Sequence, residues 1–82
     1  MISGRLGFNN NNKRYGVLDM DDWVDAGLHC GQVLEWYDDD HNIWVTDRLE
    51  ADYPASEPDG WYLVKSRLRG KQLEWLLVRI DA

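Results

Sequence analysis

Two runs of alternating side chains, residues 32–38 and 42–52, constrain the fold of this chain more than any other feature. The first run places Leu34 and Trp36 on one face. In the second run one face carries a separate apolar set: Ile43, Val45 and Leu49. This period of two, with its β-branched and aromatic residues, is typical of strands and does not fit helical spacing. The two runs therefore predict a β-hairpin whose apex is the acidic stretch between them.

The rest of the chain also consists of short runs separated by turn residues. Four asparagines, residues 9–12, predict a hairpin tip, because asparagine tolerates positive φ and bonds its own backbone. Residues 61–67 read as a strand, and residues 72–80 read as a strand with a helical turn as the alternative. Around Trp23 we expect a helical turn or an irregular loop. Five or six short antiparallel strands in one domain, residues 1–82, predict an all-β fold, and their order favours a small SH3-like barrel.

Four segments carry a more specific resemblance: "RYGVLD", "GLHCGQVLE", "WVTDRLE" and "GWYLV". Together they resemble an uncharacterised family of very small proteins, a domain of unknown function. The family occurs in Gram-positive bacteria, often on conjugative or integrative elements. The match runs from about Arg14 to about Ile80. It implies the barrel and a mobile-element origin, and it transfers no activity. One departure, Asp47, looks like an inserted residue and predicts a β-bulge at that position.

Composition limits the class of protein further. The chain has 82 residues with 44% apolar residues and five tryptophans, enough for a core without a metal or a disulfide. The single cysteine, Cys30, excludes an intramolecular disulfide and fits a reducing compartment. No apolar run approaches the roughly 20 residues of a membrane span. We therefore expect a cytoplasmic protein that does not enter the membrane.

The acidic apex is the first candidate for chemistry. Asp38, Asp39, Asp40 and His41 offer carboxylate and imidazole ligands within four residues. Contiguous aspartates in a hairpin point in different directions, and a calcium loop needs spaced ligands and a glycine. We therefore expect a wet, charged turn with no bound metal and no cofactor.

Catalytic motifs are weak elsewhere in the sequence. If His29 and Cys30 lie on a strand, they point to opposite faces, and Cys30 is expected to be buried as free cysteines usually are. The serines lie in no G-x-S-x-G context, and no phosphate-binding glycine loop is present. The sequence thus favours a protein without catalytic residues.

Aromatic residues are the better candidates for function. Small barrels bind peptides or methylated cations through aromatic grooves. The candidate binding residues lie on or beside the central hairpin and the "WYLV" segment: Trp36, Tyr37, Trp44, Tyr53, Trp61 and Tyr62. Alternation places one ring of each adjacent pair inward and the other outward. The leading interpretation is a protein-binding module, and an alternative use of the outward rings is packing under the 53–60 loop or against a second copy.

The charge distribution suggests the kind of partner. Residues 19–59 carry thirteen acids against the single base Arg48, while both terminal segments are basic. Acids around aromatic rings favour a basic protein partner, with a homodimer as a variant. A nucleic-acid role is the second interpretation. In one version, the basic residues form a strip beside aromatic rings that binds nucleic acid: Arg5, Lys13, Arg14, Lys65, Arg67, Arg69 and Lys71. In the other version, the acidic middle of the chain imitates the phosphates of DNA and occupies a basic partner.

Overall fold

Seven antiparallel strands form a single sheet in the computed structural model, which describes residues 1–52 and 56–81. The spatial order is β3-β2-β1-β7-β4-β5-β6. The strands are β1 (Ile2–Asn9), β2 (Arg14–Asp19), β3 (Asp22–Asp25), β4 (Gln32–Asp38), β5 (Ile43–Ala51), β6 (Trp61–Leu63) and β7 (Leu77–Ile80). The all-β prediction is confirmed, with seven strands in place of five or six. The assignment to SH3-like barrels stays a prediction.

The central hairpin is formed by β4 and β5, as the alternation predicts. Its register is unbroken from the pair Gln32–Leu49 to the pair Asp38–Ile43 at the apex. Trp36 faces Val45 across the two strands, on the same side as Leu34. Because directly opposed residues share a face of the sheet, one side of this hairpin is apolar at its centre except for Asp47, which pairs with Leu34.

The sheet bends around the core that this apolar side helps to form. The bend brings Tyr15 of β2 against Trp61 of β6, with ring centroids 6.3 Å apart. Eleven buried residues make up the core: Leu6, Tyr15, Val17, Leu28, Leu34, Leu49, Trp61, Leu63, Leu73, Val78 and Ile80. The Tyr15 hydroxyl donates to the carbonyl of Gly70 at 2.9 Å. Burial, with Glu74 nearby, raises the pKa of the Tyr15 phenol above its usual range.

Asp47 is buried on the core side of β5, and no bulge accompanies it. It pairs in register with Leu34, so the predicted insertion is wrong. Its carboxylate accepts backbone N–H groups from Arg48 at 2.8 Å, Lys65 at 2.7 Å and Ser66 at 2.9 Å. A polar residue stands within an apolar face because it fixes the turn that follows β6.

Three segments differ from their predicted form. Trp23 lies on strand β3, where we expected a helical turn or a loop. The strand predicted over residues 61–67 ends at Leu63, because the following residues form the turn bound by Asp47. Residues 72–80 combine both alternatives, since a 3₁₀ turn, Gly70–Leu73, precedes strand β7.

Gly7 and Gly16 pair directly across β1 and β2. A Cβ at Gly16 would come within 2.8 Å of the Trp23 ring, and one at Gly7 within 2.7 Å of the Leu18 side chain. The glycines therefore permit a close approach that larger residues would block, as their placement within strands predicts. The Trp23 ring covers the backbone that they leave bare. The irregularity in strand pairing lies nearby, between Val17 and Leu18.

Candidate interaction surface

The candidate surface is the outer face of the sheet, defined as the side turned away from the core. Both strands of the central hairpin, β4 and β5, contribute side chains to it. On β4 these are Val33, Glu35 and Tyr37, and they pair with Arg48, Thr46 and Trp44 of β5. No helix of the described residues covers this side, since the structured elements there are the strands and two short 3₁₀ turns. Val33, Thr46 and Arg48 are exposed on this face, whereas Glu35, Tyr37 and Trp44 are half-buried by their neighbours.

Tyr37 and Trp44 form the aromatic pair of this face. Their ring centroids are 5.3 Å apart and their planes are inclined by 66°, an edge-to-face arrangement. The guanidinium of Arg79 lies over the Trp44 ring, 4.0 Å from its centroid. Arg79 is fixed by Glu35, whose carboxylate accepts from Nε at 2.8 Å. The group is thus held by stacking and one ion pair, with the free side of Trp44 available for a partner.

An apolar row continues the outer face across the other half of the sheet. Leu77 of β7 pairs with Arg5 of β1, Arg5 pairs with Leu18 of β2, and Leu18 pairs with Trp23 of β3. The Trp23 side chain is 38% exposed. Apolar side chains of β7, β2 and β3 therefore stand in line on the side where Tyr37 and Trp44 lie, and Arg5 of β1 interrupts this row.

Five of the six predicted binding residues lie in the described part of the chain, and they do not form one site. Trp36 packs against the core and Trp61 belongs to it, so these two rings face inward. Tyr37 and Trp44 face outward together, as described above. Tyr62 also faces outward, opposite Glu50, with Arg69 lying 4.5 Å over its ring. Tyr53 lies outside the described residues.

Alternation along each strand thus determines that neighbouring rings lie on opposite faces, and the pairing of strands determines which rings are in contact. Within each adjacent pair one ring is inward and one outward, as predicted for Trp36 with Tyr37 and for Trp61 with Tyr62. Sequence reasoning missed Trp23 and Arg79. The signal that could have indicated Trp23 is the pair of strand glycines, Gly7 and Gly16, which leave room for a large ring above them.

The acidic apex is the turn that the sequence predicts. One carboxylate oxygen of Asp38 accepts the backbone N–H of Asp40 at 3.0 Å, and the other lies 2.8 Å from Nδ1 of His41. The hydrogen bond with His41 holds the pKa of Asp38 below its usual range, and the same contact raises the pKa of His41. Within residues 1–52 and 56–81 no group of three or more His, Cys, Asp or Glu side chains is arranged to hold a metal ion.

His29 and Cys30 lie in the irregular segment between β3 and β4, and both are exposed. The expectation that Cys30 is buried is wrong, because the chain leaves the sheet after Asp25 and re-enters it at Gln32. The segment is not a strand, so the two side chains are not forced to opposite faces. Both line one pocket, called here the basic pocket, with a volume of about 420 Å³: Asn12, Lys13, Arg14, His29, Cys30 and Trp61.

The basic residues of the predicted nucleic-acid strip are divided among separate places. Lys13 and Arg14 line the basic pocket, whereas Lys65 lines a concavity beside Val33 and Val64. Arg69 forms an ion pair with Asp52 at 2.8 Å. Arg67 and Arg69 line a third concavity, beside Tyr62. A groove that binds single-stranded nucleic acid combines basic and aromatic residues along one continuous track. None of these three concavities contains more than two of the basic residues.

The described part of the chain contains no helix that is long and apolar enough to cross a membrane.

Comparison with known proteins gives two similarities. A family model described as a domain of unknown function (DUF5348) matches residues 4–80. A crystal structure of a protein from Ruminococcus gnavus, a target of the Northeast Structural Genomics Consortium, has a TM-score of 0.70 and 31% sequence identity. That match covers 96% of this chain and 100% of the other. A search of curated proteins found no match. Neither description names an activity or a partner, so function has to be argued from the surface itself.

Proposed function

The chain belongs to the DUF5348 family, whose function is unknown, and we propose that it is a protein-binding module that uses the outer face and performs no catalysis. The binding centre is the pair Tyr37 and Trp44, and the partner is a protein with basic side chains. The mobile-element context implied by the sequence resemblance, and a site of action in the cytoplasm, are parts of this proposal.

The observation that carries the proposal is the outward-facing, half-buried edge-to-face pair of Tyr37 and Trp44 on the outer face. Aromatic rings and arginine are enriched at the centres of protein interfaces, where they contribute most of the binding energy. Arg79 over Trp44, with Tyr37 beside it, brings both kinds of residue to one place. Other large aromatic residues also lie outside the core, namely Trp23, Tyr62 and Trp75, but among the described residues Tyr37 and Trp44 are the outward rings that pack against each other.

Charge around the pair favours a basic partner. The acidic apex adjoins it, since the hydroxyl of Tyr37 donates to Oδ1 of Asn42 in the apex turn at 3.2 Å. Asp39 and Asp40 are exposed at that apex. These carboxylates would attract lysine and arginine side chains of a partner and speed the encounter at low salt.

The test is affinity capture from the native host with the tagged chain, compared with Trp44→Ala and with Val33→Ala as the matched control. Val33 is 57% exposed on the same face and lies away from the aromatic pair. We expect one or more proteins to be recovered by the wild type and the control, and to be depleted about tenfold or more with Trp44→Ala. Binding of the purified partner should weaken as salt increases.

Recovery of the same proteins by a folded Trp44→Ala variant would contradict the proposal. Two other outcomes would replace it. Salt-dependent retention of the wild type on DNA would favour the nucleic-acid role, and concentration-dependent dimers that Trp44→Ala dissociates would favour self-association.

A further inference from the structure

The basic pocket lies apart from the aromatic pair and has a composition of its own. It lies where the β1–β2 turn meets the segment before β4 and the start of β6. Two of its lining residues, Lys13 and Arg14, are cationic, and none is a carboxylate. The concavity beside Arg67 and Arg69 also has no carboxylate in its lining, but there Arg69 is paired with Asp52. This composition favours an anionic ligand.

The two cations are not neutralised by the described residues. Four ion pairs are formed there, and they use other bases: His41, Arg48, Arg69 and Arg79. Lys13 and Arg14 stand next to each other in sequence and contribute to the same pocket. A pair of adjacent positive charges without a carboxylate is stabilised by an anion that neutralises both.

Arg14 is oriented by His29. Its Nη1 donates to Nδ1 of the imidazole at 3.3 Å. Since Nδ1 accepts, the neutral ring carries its proton on Nε2 and has that N–H left to donate. The guanidinium keeps four further N–H donors in a planar fork, the geometry that matches the oxygens of a phosphate. The pocket therefore offers several donors and a positive charge to one small group.

The walls of the pocket are fixed before any ligand binds. Asn12 accepts the backbone N–H of Arg14 at 3.1 Å and donates to the carbonyl of Ala26 at 2.9 Å. Nε1 of Trp61 donates to the carbonyl of Lys13 at 3.3 Å. At Gly27 a Cβ would lie 2.6 Å from Nδ2 of Asn12 and 3.2 Å from Cδ of Arg14, so the glycine leaves room for both side chains. Fixed walls lower the ordering cost of binding.

We propose that the basic pocket binds the phosphate group of a small phosphorylated molecule. Its volume of about 420 Å³ lies in the range of small-molecule sites, roughly 300–1,000 Å³. A nucleic-acid polymer is disfavoured, because it needs many cations along a track and the chain as a whole carries a net charge of −6. In this proposal the Arg14 guanidinium donates hydrogen bonds to the phosphate, Lys13 adds a second positive charge, and His29 orients the Arg14 guanidinium.

The test is a titration of the full-length protein followed by two-dimensional ¹H–¹⁵N NMR at constant ionic strength. The probes are inorganic phosphate, adenosine 5′-monophosphate and adenosine. We expect both phosphate compounds to shift the signals of Arg14, His29 and the Trp61 indole, and adenosine to leave them unchanged. Tighter binding of the nucleotide than of inorganic phosphate would identify an organic phosphate as the ligand; equal binding would identify free phosphate.

Variants assign the effect to the pocket. Arg14→Gln should weaken binding about tenfold or more, because it removes a charged donor fork, and Lys13→Gln should weaken it less. Arg67→Gln is the matched control, an exposed cation that lines a different concavity, and should leave binding within about twofold.

Three results would overturn the proposal. They are the absence of shifts up to about 10 mM phosphate or nucleotide, equal shifts with adenosine, and unchanged binding by Arg14→Gln. Much tighter binding of a single-stranded oligonucleotide, with a steep salt dependence, would also overturn it by moving the function to a polymer. The same spectra report whether each variant is folded. If Arg14→Gln does not fold, the binding measured with Lys13→Gln still tests the proposal.

Discussion

The two faces of the β4–β5 hairpin contain the same kinds of residue and use them differently. Trp36 on the inner side packs against the core, whereas Trp44 on the outer side is held by Tyr37 and Arg79. Asp47 is buried on the inner side and bound by three backbone N–H groups, while Asp39 and Asp40 at the apex stay exposed. Residue type alone therefore does not decide a role; the face and the neighbouring strand do.

This difference separates stability from binding on one hairpin. Inner side chains are surrounded on all sides, so their removal leaves a cavity. Removal of an outer side chain breaks fewer contacts, because one side of it faces outward. That outward side is available to contact a partner. Substitutions at neighbouring positions of one strand should consequently have unequal effects on the free energy of unfolding.

The largest contrast is expected between Leu34 and Val33, which are 1% and 57% exposed. Leu34→Ala should lower the free energy of unfolding by about 2–5 kcal/mol, because the transfer energy is lost and a cavity is left. Val33→Ala should change it by no more than about 0.5 kcal/mol. Urea unfolding followed by tryptophan fluorescence measures both. Equal losses at the two positions would mean that the faces are not divided as described.

Asp47→Ala should have the next largest effect, on the order of 3 kcal/mol, because three backbone donors lose their acceptor. Asp47→Asn keeps one carbonyl oxygen and should cost about half as much. Asp39→Asn, an exposed aspartate of the same hairpin, is the control and should stay within about 0.5 kcal/mol. Hydrogen exchange at the amides of Lys65 and Ser66 should accelerate in the Asp47 variants alone.

The contribution of Asp47 should also depend on pH. Burial raises the pKa of its carboxyl, but the backbone N–H groups of Lys65, Arg48 and Ser66 outweigh burial and hold it below its usual range. A carboxylate with a lowered folded pKa stabilises the fold above its unfolded value of about 3.9, and this stabilisation is lost as the pH falls through the folded pKa. The difference in stability between the wild type and Asp47→Asn should therefore shrink in acid. A constant difference from pH 7 to about pH 2 would contradict this account.

Trp44→Ala should cost less than either inner change, about 1–2 kcal/mol for the lost ring contact and the lost cation–π contact. Arg79→Gln with Trp44→Ala completes a double-mutant cycle that isolates the contact of Arg79 with the ring. We expect a coupling energy of about 0.5–1 kcal/mol from urea unfolding. A coupling near zero would show that Glu35 alone orders Arg79.

The smallest effect is expected at the apex. Asp38→Asn should lower the pKa of His41 toward its usual value, because the hydrogen bond from the imidazole to the Asp38 carboxylate raises it. The pair stabilises the fold below the unfolded imidazole pKa of about 6.5, and this is lost as the pH rises through the raised folded pKa. NMR titration of the ring protons measures the change, and the urea midpoint at pH 7 should stay the same. An unshifted His41 would mean that the pair does not form in solution.

Much of the candidate surface was predictable, and the rest depended on strand order. Alternation placed Trp36 and Tyr37 on opposite faces from local pattern alone, but it did not show which of the two rings faces the core. It could not show that Arg79, more than thirty residues away, lies over Trp44, because that contact arises only when β7 pairs with β4. Cys30 was misplaced for a similar reason, since the sequence did not reveal that its segment leaves the sheet.

The sequence by itself determined that the chain is all-β, where its central hairpin turns and which hairpin residues share a face, because these follow from the two-residue period of an extended backbone. Tertiary structure alone decided the seven-strand order, the burial of Asp47 and the meeting of Lys13, Arg14 and His29 in one pocket. Such contacts join residues far apart in the chain. Their energies depend on how the whole sheet bends, and no local pattern records that.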